Sequence, residues 1–154
     1  GVLKSCMHDR RSAAKAGVES TGNGRRESYR HRPVVRMTNT LIQPGELSPS
    51  EIIARVERGL LVKRMGGGQV NTVNGDFVFE ISEGYLIEKG AVAHPIRGAT
   101  LVGNGPKVLT SIEHIANDLG FGLGTCGKDG QGVAVSDAQP TLLIPEITIG
   151  GRIE

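Results

Sequence analysis

Tryptophan is absent from the chain and only 3% of its 154 residues are aromatic. Any core must therefore be built mainly from Val, Ile and Leu. There are only two cysteines, Cys6 and Cys126, too few and too far apart for a disulfide framework. The sequence has no secretory apolar segment and no apolar run long enough to cross a bilayer, so a reducing cytoplasm is the expected compartment and a membrane is not an expected partner. It also begins with Gly1 instead of Met, which predicts that the chain is part of a longer protein. What it does have is glycine, 23 residues, about twice the average share of roughly 7%. That abundance points to tight turns and short strands and argues against a helical bundle.

The net charge of +2 conceals an asymmetry. Residues 1–36 hold nine Lys/Arg against three acidic residues, whereas the remainder holds nine against thirteen. A basic arm on an acidic body can bind nucleic acid. Here Tyr29 is the arm's only aromatic and no recognisable reading motif accompanies it, so nucleic acid is not the expected partner. The organisation expected is a basic N-terminal helix and connector over 1–36 and an antiparallel α+β segment over 37–154.

Local signals fill in that outline. Residues 5–16 read as a weak helix closed by Gly17, and 20–33 as a surface loop. Ser48-Pro49-Ser50-Glu51 is a capping box with proline at the first helical position, predicting an amphipathic helix that Gly59 ends. Residues 60–64 and 69–73 suggest a strand pair broken by Gly66-Gly67-Gly68. Asn74-Gly75 is a type I′ hairpin signal. A strand with alternating Phe77, Phe79 and Ile81 follows, and Lys89-Gly90 turns into another over 91–101. Val108, Leu109, Ile112, Ile115 and Leu119 predict a helix over 106–118, and strands are expected over 121–126, 132–137 and 142–149. The fold class expected is α+β, dominated by an antiparallel sheet with two or three short helices.

The chemistry-bearing residues are sparse. His8, His31, His94 and His114 are isolated, with no pair at the spacing that sets two metal ligands on one helix face. The triple glycine lacks the Lys-Ser/Thr of a phosphate loop and reads as a hairpin or cleft-edge loop, with Gly67, Gly68 and Gln69 as candidate peptide-binding residues. Cys126 sits in the glycine-rich loop Gly122-Leu123-Gly124-Thr125-Cys126-Gly127-Lys128-Asp129-Gly130-Gln131-Gly132. It is either a metal ligand or nucleophile whose partners the fold must supply, with His114 the nearest histidine in sequence, or a small apolar residue at a strand end.

Several segments in fixed order carry a resemblance. Thr21-Gly22-Asn23-Gly24-Arg25-Arg26-Glu27-Ser28-Tyr29, Arg36-Met37-Thr38-Asn39-Thr40, Pro44-Gly45 and Gly66-Gly67-Gly68-Gln69-Val70 come first. Gly98-Ala99-Thr100-Leu101, Asn117-Asp118, Cys126-Gly127-Lys128-Asp129-Gly130-Gln131, Gln139-Pro140-Thr141 and Gly150-Gly151 follow. Over nearly its whole length the chain resembles the C-terminal part of the TldD-type subunit of the TldD/PmbA family.

The resemblance implies a cytoplasmic zinc metallopeptidase that trims unfolded or extended peptides and pairs with a PmbA-type (TldE) subunit; the family was earlier described as a modulator of DNA gyrase. It implies that zinc is held by two histidines of a His-Glu-x-x-x-His helix and by the cysteine of a Cys-Gly-Lys-x-Gly-Gln loop, here Cys126. The His-Glu-x-x-x-His motif does not occur in these 154 residues, so none of them is expected to be catalytic and zinc is expected only with ligands from upstream. Separated from that part, the chain is expected to be inactive and to self-associate through open edges. A non-catalytic, truncated interaction module that binds a partner subunit or peptide by strand addition is the alternative.

Overall fold

Turn chemistry and short caps set the element boundaries in the computed structural model, which describes residues 2–151. Gly1 and 152–154, the ends of the two expected segments, lie outside the described residues. The chain runs through α1 (Arg10–Ala16), the two-residue strands β1 (Gly24–Arg25) and β2 (Val34–Val35), β3 (Asn39–Leu41) and α2 (Pro49–Ile53). Four strands follow: β4 (Arg58–Val70), β5 (Asp76–Glu88), β6 (Ala91–Ile96) and β7 (Thr100–Asn104). Then come α3 (Gly105–Ser111), β8 (His114–Ile115), β9 (Gly120–Lys128), β10 (Gln131–Gln139), β11 (Leu142–Leu143) and β12 (Thr148–Gly150). With 47% strand against 13% helix, the class is α+β with antiparallel sheets, as the sequence predicts.

Two compact units share this chain: residues 1–43 with 119–139, and residues 44–118 with 140–154. In the first unit, β9 and β10 pair antiparallel along their full lengths and β3 adds to β10 in parallel, while β1 and β2 form a separate ribbon. Ala13, Val133 and Ala138 are its buried apolar residues.

The second unit is organised on β5. Strand β4 lies along one side of it; on the other, β7 covers Asp76 to Glu80 and β6 covers Gly84 to Glu88, with β12 completing the sheet beyond β7. Ile81 falls at the change of partner, is buried, and donates its amide to Ala99 O at 2.8 Å. Ile87 and the α2 residue Ile52 are also buried. The alternation of Phe77, Phe79 and Ile81 is thus the inward face of a central strand.

Several boundaries differ from the sequence reading. The capping box of Ser48 and Glu51 forms, but α2 ends at Ile53 and Gly59 is a strand residue opposite Ile87. The helix stops because Lys89 and Gly90 donate their amides to Glu57 O and Val56 O at 2.7 and 2.9 Å, drawing the chain into the sheet. The triple glycine is not a break: β4 passes through it, with register shifts between Val62 and Gly68. Opposite Gly68 lies Phe79, and a Cβ on Gly68 would collide with the Phe79 ring and the Val78 carbonyl. On the other side Gly103 lies under Phe77, so glycine makes room for both rings, whose centroids are 5.8 Å apart.

The Asn74-Gly75 turn is not type I′, which needs two left-handed residues; only Gly75 is one, at φ +84°. Lys89-Gly90 has both, at +50° and +75°. The expected helix over 106–118 ends at Ser111. Its apolar spacing does not make an inward face: no α3 residue is buried and Leu109 is exposed. Beyond it, Glu113 and Ala116 donate to Leu143 O and Thr141 O at 3.0 and 2.8 Å, turning His114–Ile115 into a ribbon with β11. α1 starts at Arg10, later than expected, because Asp9 and Ser12 form a reciprocal cap, and Gly17 closes it at φ +69°.

Candidate functional site around Cys126

Asp129 and Gly130, at φ +52° and +69°, form the two-residue turn that joins β9 to β10. Both residues are left-handed, which selects the turn that follows the natural strand twist. It fixes a register in which Lys128 faces Gln131 and Cys126 faces Val133. Cys126 therefore lies within a strand, as expected for 121–126, although the strand runs on to Lys128. Its thiol is free and half-buried.

The N-terminal segment binds this hairpin through side chains. Arg25 donates to Met37 O at 2.6 Å and to Ala134 O at 2.8 Å. The Glu27 carboxylate accepts the Gly132 amide at 2.6 Å, and the Glu27 amide donates to Gln131 Oε1 at 3.1 Å. Gln131 is buried, and its Nε2 donates to Arg32 O at 3.0 Å, so its carboxamide is engaged on both sides. Lys128 Nζ reaches Val35 O at 3.1 Å. Arg25 of the arm and Lys128 of β9 are thus spent on backbone carbonyls. Arg10, Arg11, Arg32 and Lys128, with Asp9 and Asp129, border an open cleft of about 740 Å³ in the same unit.

Arg36 is the residue that sequence reasoning missed. It is only 1% exposed, the most deeply buried charged residue described. Its amide donates to Asn23 O at 2.9 Å and its carbonyl accepts Asn23 Nδ2 at 3.0 Å, which fixes the backbone from which the side chain extends. Nη2 donates to Cys126 O and, at 3.1 Å, to Gln131 O, bridging the two strands beside their turn. Nε and Nη1 make no hydrogen bond. The guanidinium beside the sulfur holds the Cys126 thiol below its ordinary pKa. Burial pushes the other way, and the Met37 amide and the charges of Arg36 and Lys128 add to the lowering. The thiolate is the metal-binding and nucleophilic form, so the site favours the reactive state. The sequence signal was an arginine at the head of Arg36-Met37-Thr38-Asn39-Thr40, which composition alone treats as one charge among nine.

The histidines do not complete this site. His31 Nδ1 lies 2.9 Å from Ser28 Oγ and His8 Nδ1 lies 3.2 Å from Ser12 Oγ, while His114 is on β8 of the other unit and not on a helix. Among the described residues no group of three His, Cys, Asp or Glu side chains could hold a metal ion. Cys6 is exposed. Gly67, Gly68 and Gln69 border a shallow depression of about 490 Å³ in the second unit, together with Val78, Glu80 and Thr100.

Strand β9 is one edge of the first unit's three-stranded sheet, with β3 the other and β10 between them. Phe121 and Leu123 on that edge are exposed, Leu123 at 94%. The other family segments have structural work in the second unit. A Cβ at Gly45 would collide with Ile115 O, and the Gly45 amide donates to the carbonyl of fully buried Ala116 at 2.8 Å. Asp118 accepts both the amide and the hydroxyl of Thr141 at 2.8 Å each. No helix among the described residues is long and apolar enough to cross a membrane.

The first unit thus carries a half-buried thiol on a strand at the edge of its sheet, within a strand-rich α+β fold. The chain belongs to the family described as the PmbA/TldA metallopeptidase C-terminal domain, which it matches over residues 1–151. It is 48% identical to the metalloprotease TldD homolog of Haemophilus influenzae, over 98% of this chain and 32% of that protein. It is 37% identical to the zinc metalloprotease TldD homolog of Saccharolobus solfataricus, over 99% of this chain and 34% of that one. Among solved structures, a Thermotoga maritima protein described as a candidate modulator of a DNA gyrase superposes with a TM-score of 0.76 at 30% identity, covering 97% of this chain and 31% of that one. TldE from Thermococcus kodakarensis shares the fold, with a TM-score of 0.78 at 24% identity over 98% of this chain and 32% of its own. The chain spans about a third of the length of these relatives.

Proposed function

We propose that this chain is the C-terminal part of a TldD-type zinc metallopeptidase subunit that cleaves unfolded or extended peptides, and that it supplies Cys126 as the cysteine ligand. The observation that carries the reading is a half-buried thiol with its pKa lowered, on a residue whose backbone carbonyl a buried guanidinium holds just before the Asp129-Gly130 turn. A thiolate with restricted mobility fits a zinc ligand. The donor set of this chain is otherwise incomplete, so two histidines and the catalytic carboxylate come from a His-Glu-x-x-x-His helix outside these residues. Zinc, when bound, polarises the scissile carbonyl and lowers the pKa of its water to about 7.

Within that assignment this chain holds the ligand and receives the substrate. The free N–H and C=O groups of β9 pair with an extended peptide along the strand that carries Cys126, giving sequence-tolerant binding through main-chain hydrogen bonds. Gly67, Gly68 and Gln69 form a second, shallow peptide contact at the β4 edge. The partner is a PmbA/TldE-type subunit, the compartment is the cytoplasm, and the chain by itself is inactive. The exposed Phe121 and Leu123 on an open edge favour a second reading, a non-catalytic module that binds a partner by strand addition.

Zinc content separates the two. The intact protein that contains this chain is expected to bind one equivalent and to lose it with Cys126→Ala, while the present chain alone binds none. Stoichiometric zinc retained by intact Cys126→Ala would leave only the interaction module.

A further inference from the structure

We propose that the basic cleft beside the β9–β10 turn is a subsite for acidic side chains, so that the peptides received along β9 are preferentially those with carboxylates a short way beyond Cys126. This rests on the reading that an extended peptide pairs with β9. The cleft belongs wholly to the first unit, where Arg10, Arg11, Arg32 and Lys128 border it together with Asp9 and Asp129. Four cations against two carboxylates leave an excess of two positive charges on its walls. One of those carboxylates is already committed, since Asp9 accepts the Ser12 amide at 2.6 Å as the cap of α1.

The backbone of the walls is fixed while the cationic ends stay unengaged. The reciprocal cap and Gly17 hold α1, which begins with Arg10 and Arg11. The Arg32 carbonyl accepts Gln131 Nε2 at 3.0 Å, tying its segment to a buried residue of β10. Lys128 gives one N–H to Val35 O at 3.1 Å, and an ammonium has two more. Arg25 and Arg36 donate to the hairpin carbonyls of Ala134 and Gln131 at 2.8 and 3.1 Å. Among the described residues the guanidiniums of Arg10, Arg11 and Arg32 donate no such bond, and all three residues are exposed. The cleft thus gathers cations that the fold itself does not use. Its position suits the proposed peptide path. Lys128 ends β9 two residues after Cys126, and residues two apart in a strand lie on one face. At about 3.3 Å per residue that step is about 7 Å, so a peptide paired with β9 comes level with the cleft about two residues beyond Cys126. Nucleic acid fits less well, because no aromatic residue borders the cleft to stack a base and two wall carboxylates oppose a run of phosphates.

The test measures peptide binding to the intact protein by fluorescence anisotropy, with a chelator present so that nothing is cut and zinc plays no part. The probe is a labelled, threonine-rich peptide containing a Glu-Glu pair, compared with the same peptide carrying Gln-Gln. The Glu-Glu peptide is expected to bind about 5- to 20-fold more tightly at low salt, with the advantage shrinking as salt is added. Arg11→Gln combined with Arg32→Gln is expected to make the two peptides bind alike. Arg30→Gln, which removes an exposed charge outside the cleft, is expected to leave the preference intact. An equal loss in Arg30→Gln overturns the subsite, since the preference would then reflect net charge alone. If the double variant does not fold, Arg32→Gln decides: a narrowed preference supports the subsite and an unchanged one overturns it. A short single-stranded oligonucleotide that binds more tightly than the Glu-Glu peptide, and loses that affinity in the double variant, overturns the assignment in favour of nucleic acid. Methylating alternate backbone amides of the peptide tests the reading beneath. Binding that survives methylation defeats pairing with β9, whereas methylation-sensitive binding without a preference for Glu-Glu defeats the acidic subsite alone.

Discussion

Gly68 is the member of the triple glycine that its neighbours constrain. A Cβ there would meet the Phe79 ring and the Val78 carbonyl, whereas at Gly67 it would meet nothing within 4 Å. Gly68→Ala is therefore expected to cost about 1–3 kcal/mol of stability, the range for overpacking a fitted contact. Gly67→Ala should be close to neutral, and urea denaturation of the two variants side by side checks the contrast. At Asp118, burial raises the carboxyl pKa but the hydrogen bonds from the Thr141 amide and hydroxyl outweigh it, so the folded value lies below the ordinary one. A depressed carboxylate contributes stability that is present above the unfolded pKa and lost as pH falls through the folded one. Below about pH 4 the wild type should thus lose stability that Asp118→Asn never had, and the two denaturation midpoints should converge on acidification. Arg36 and Gln131 show the limit of residue-level reading. Their identities are plain in the sequence, but their burial follows from a hairpin folding back over a segment about 100 positions away.

Among the elements, the hairpin of β9 and β10 has the strictest geometry, because Asp129 and Gly130 must both be left-handed. Alanine at Gly130 keeps the strands but strains the turn by about 1–2 kcal/mol. Amide hydrogen exchange should then accelerate at the paired residues from Thr125 to Ala134 and leave β5 unaffected; uniform protection across the hairpin would contradict this account of the turn. Where sequence chemistry was local, the elements were legible: the Ser48 cap, the Gly17 closure, the Lys89-Gly90 turn and the alternation of Phe77, Phe79 and Ile81 all reappear. Where partners at long range decide, they were not. The helix expected over 106–118 gave way to the β8 ribbon because β11 lay ready to pair with it, and β4 ran through three glycines because β5 supplied a template along its whole length. Cys126 was legible through its motif and as part of a strand expected over 121–126, but the buried arginine that holds its carbonyl was not.

At the scale of the whole molecule, a chain spanning about a third of its relatives' length has sheet edges that the remainder or a partner can cover. The β9 edge carries Phe121 and Leu123 in the open, so concentration-dependent self-association of the present chain is expected, measured by sedimentation. Leu123→Lys, which places a charge on that edge, should reduce it. The central proposal is that this chain brings a single thiolate, that of Cys126, to a metal centre completed elsewhere in the protein. The most direct measurement is the zinc stoichiometry of the intact protein beside this chain, each with and without Cys126→Ala. One zinc per intact wild-type chain, lost in the variant and absent from the present chain in both forms, is the predicted result. Cys126-dependent zinc bound stoichiometrically by the present chain alone would contradict it, since the site would then be complete within these residues.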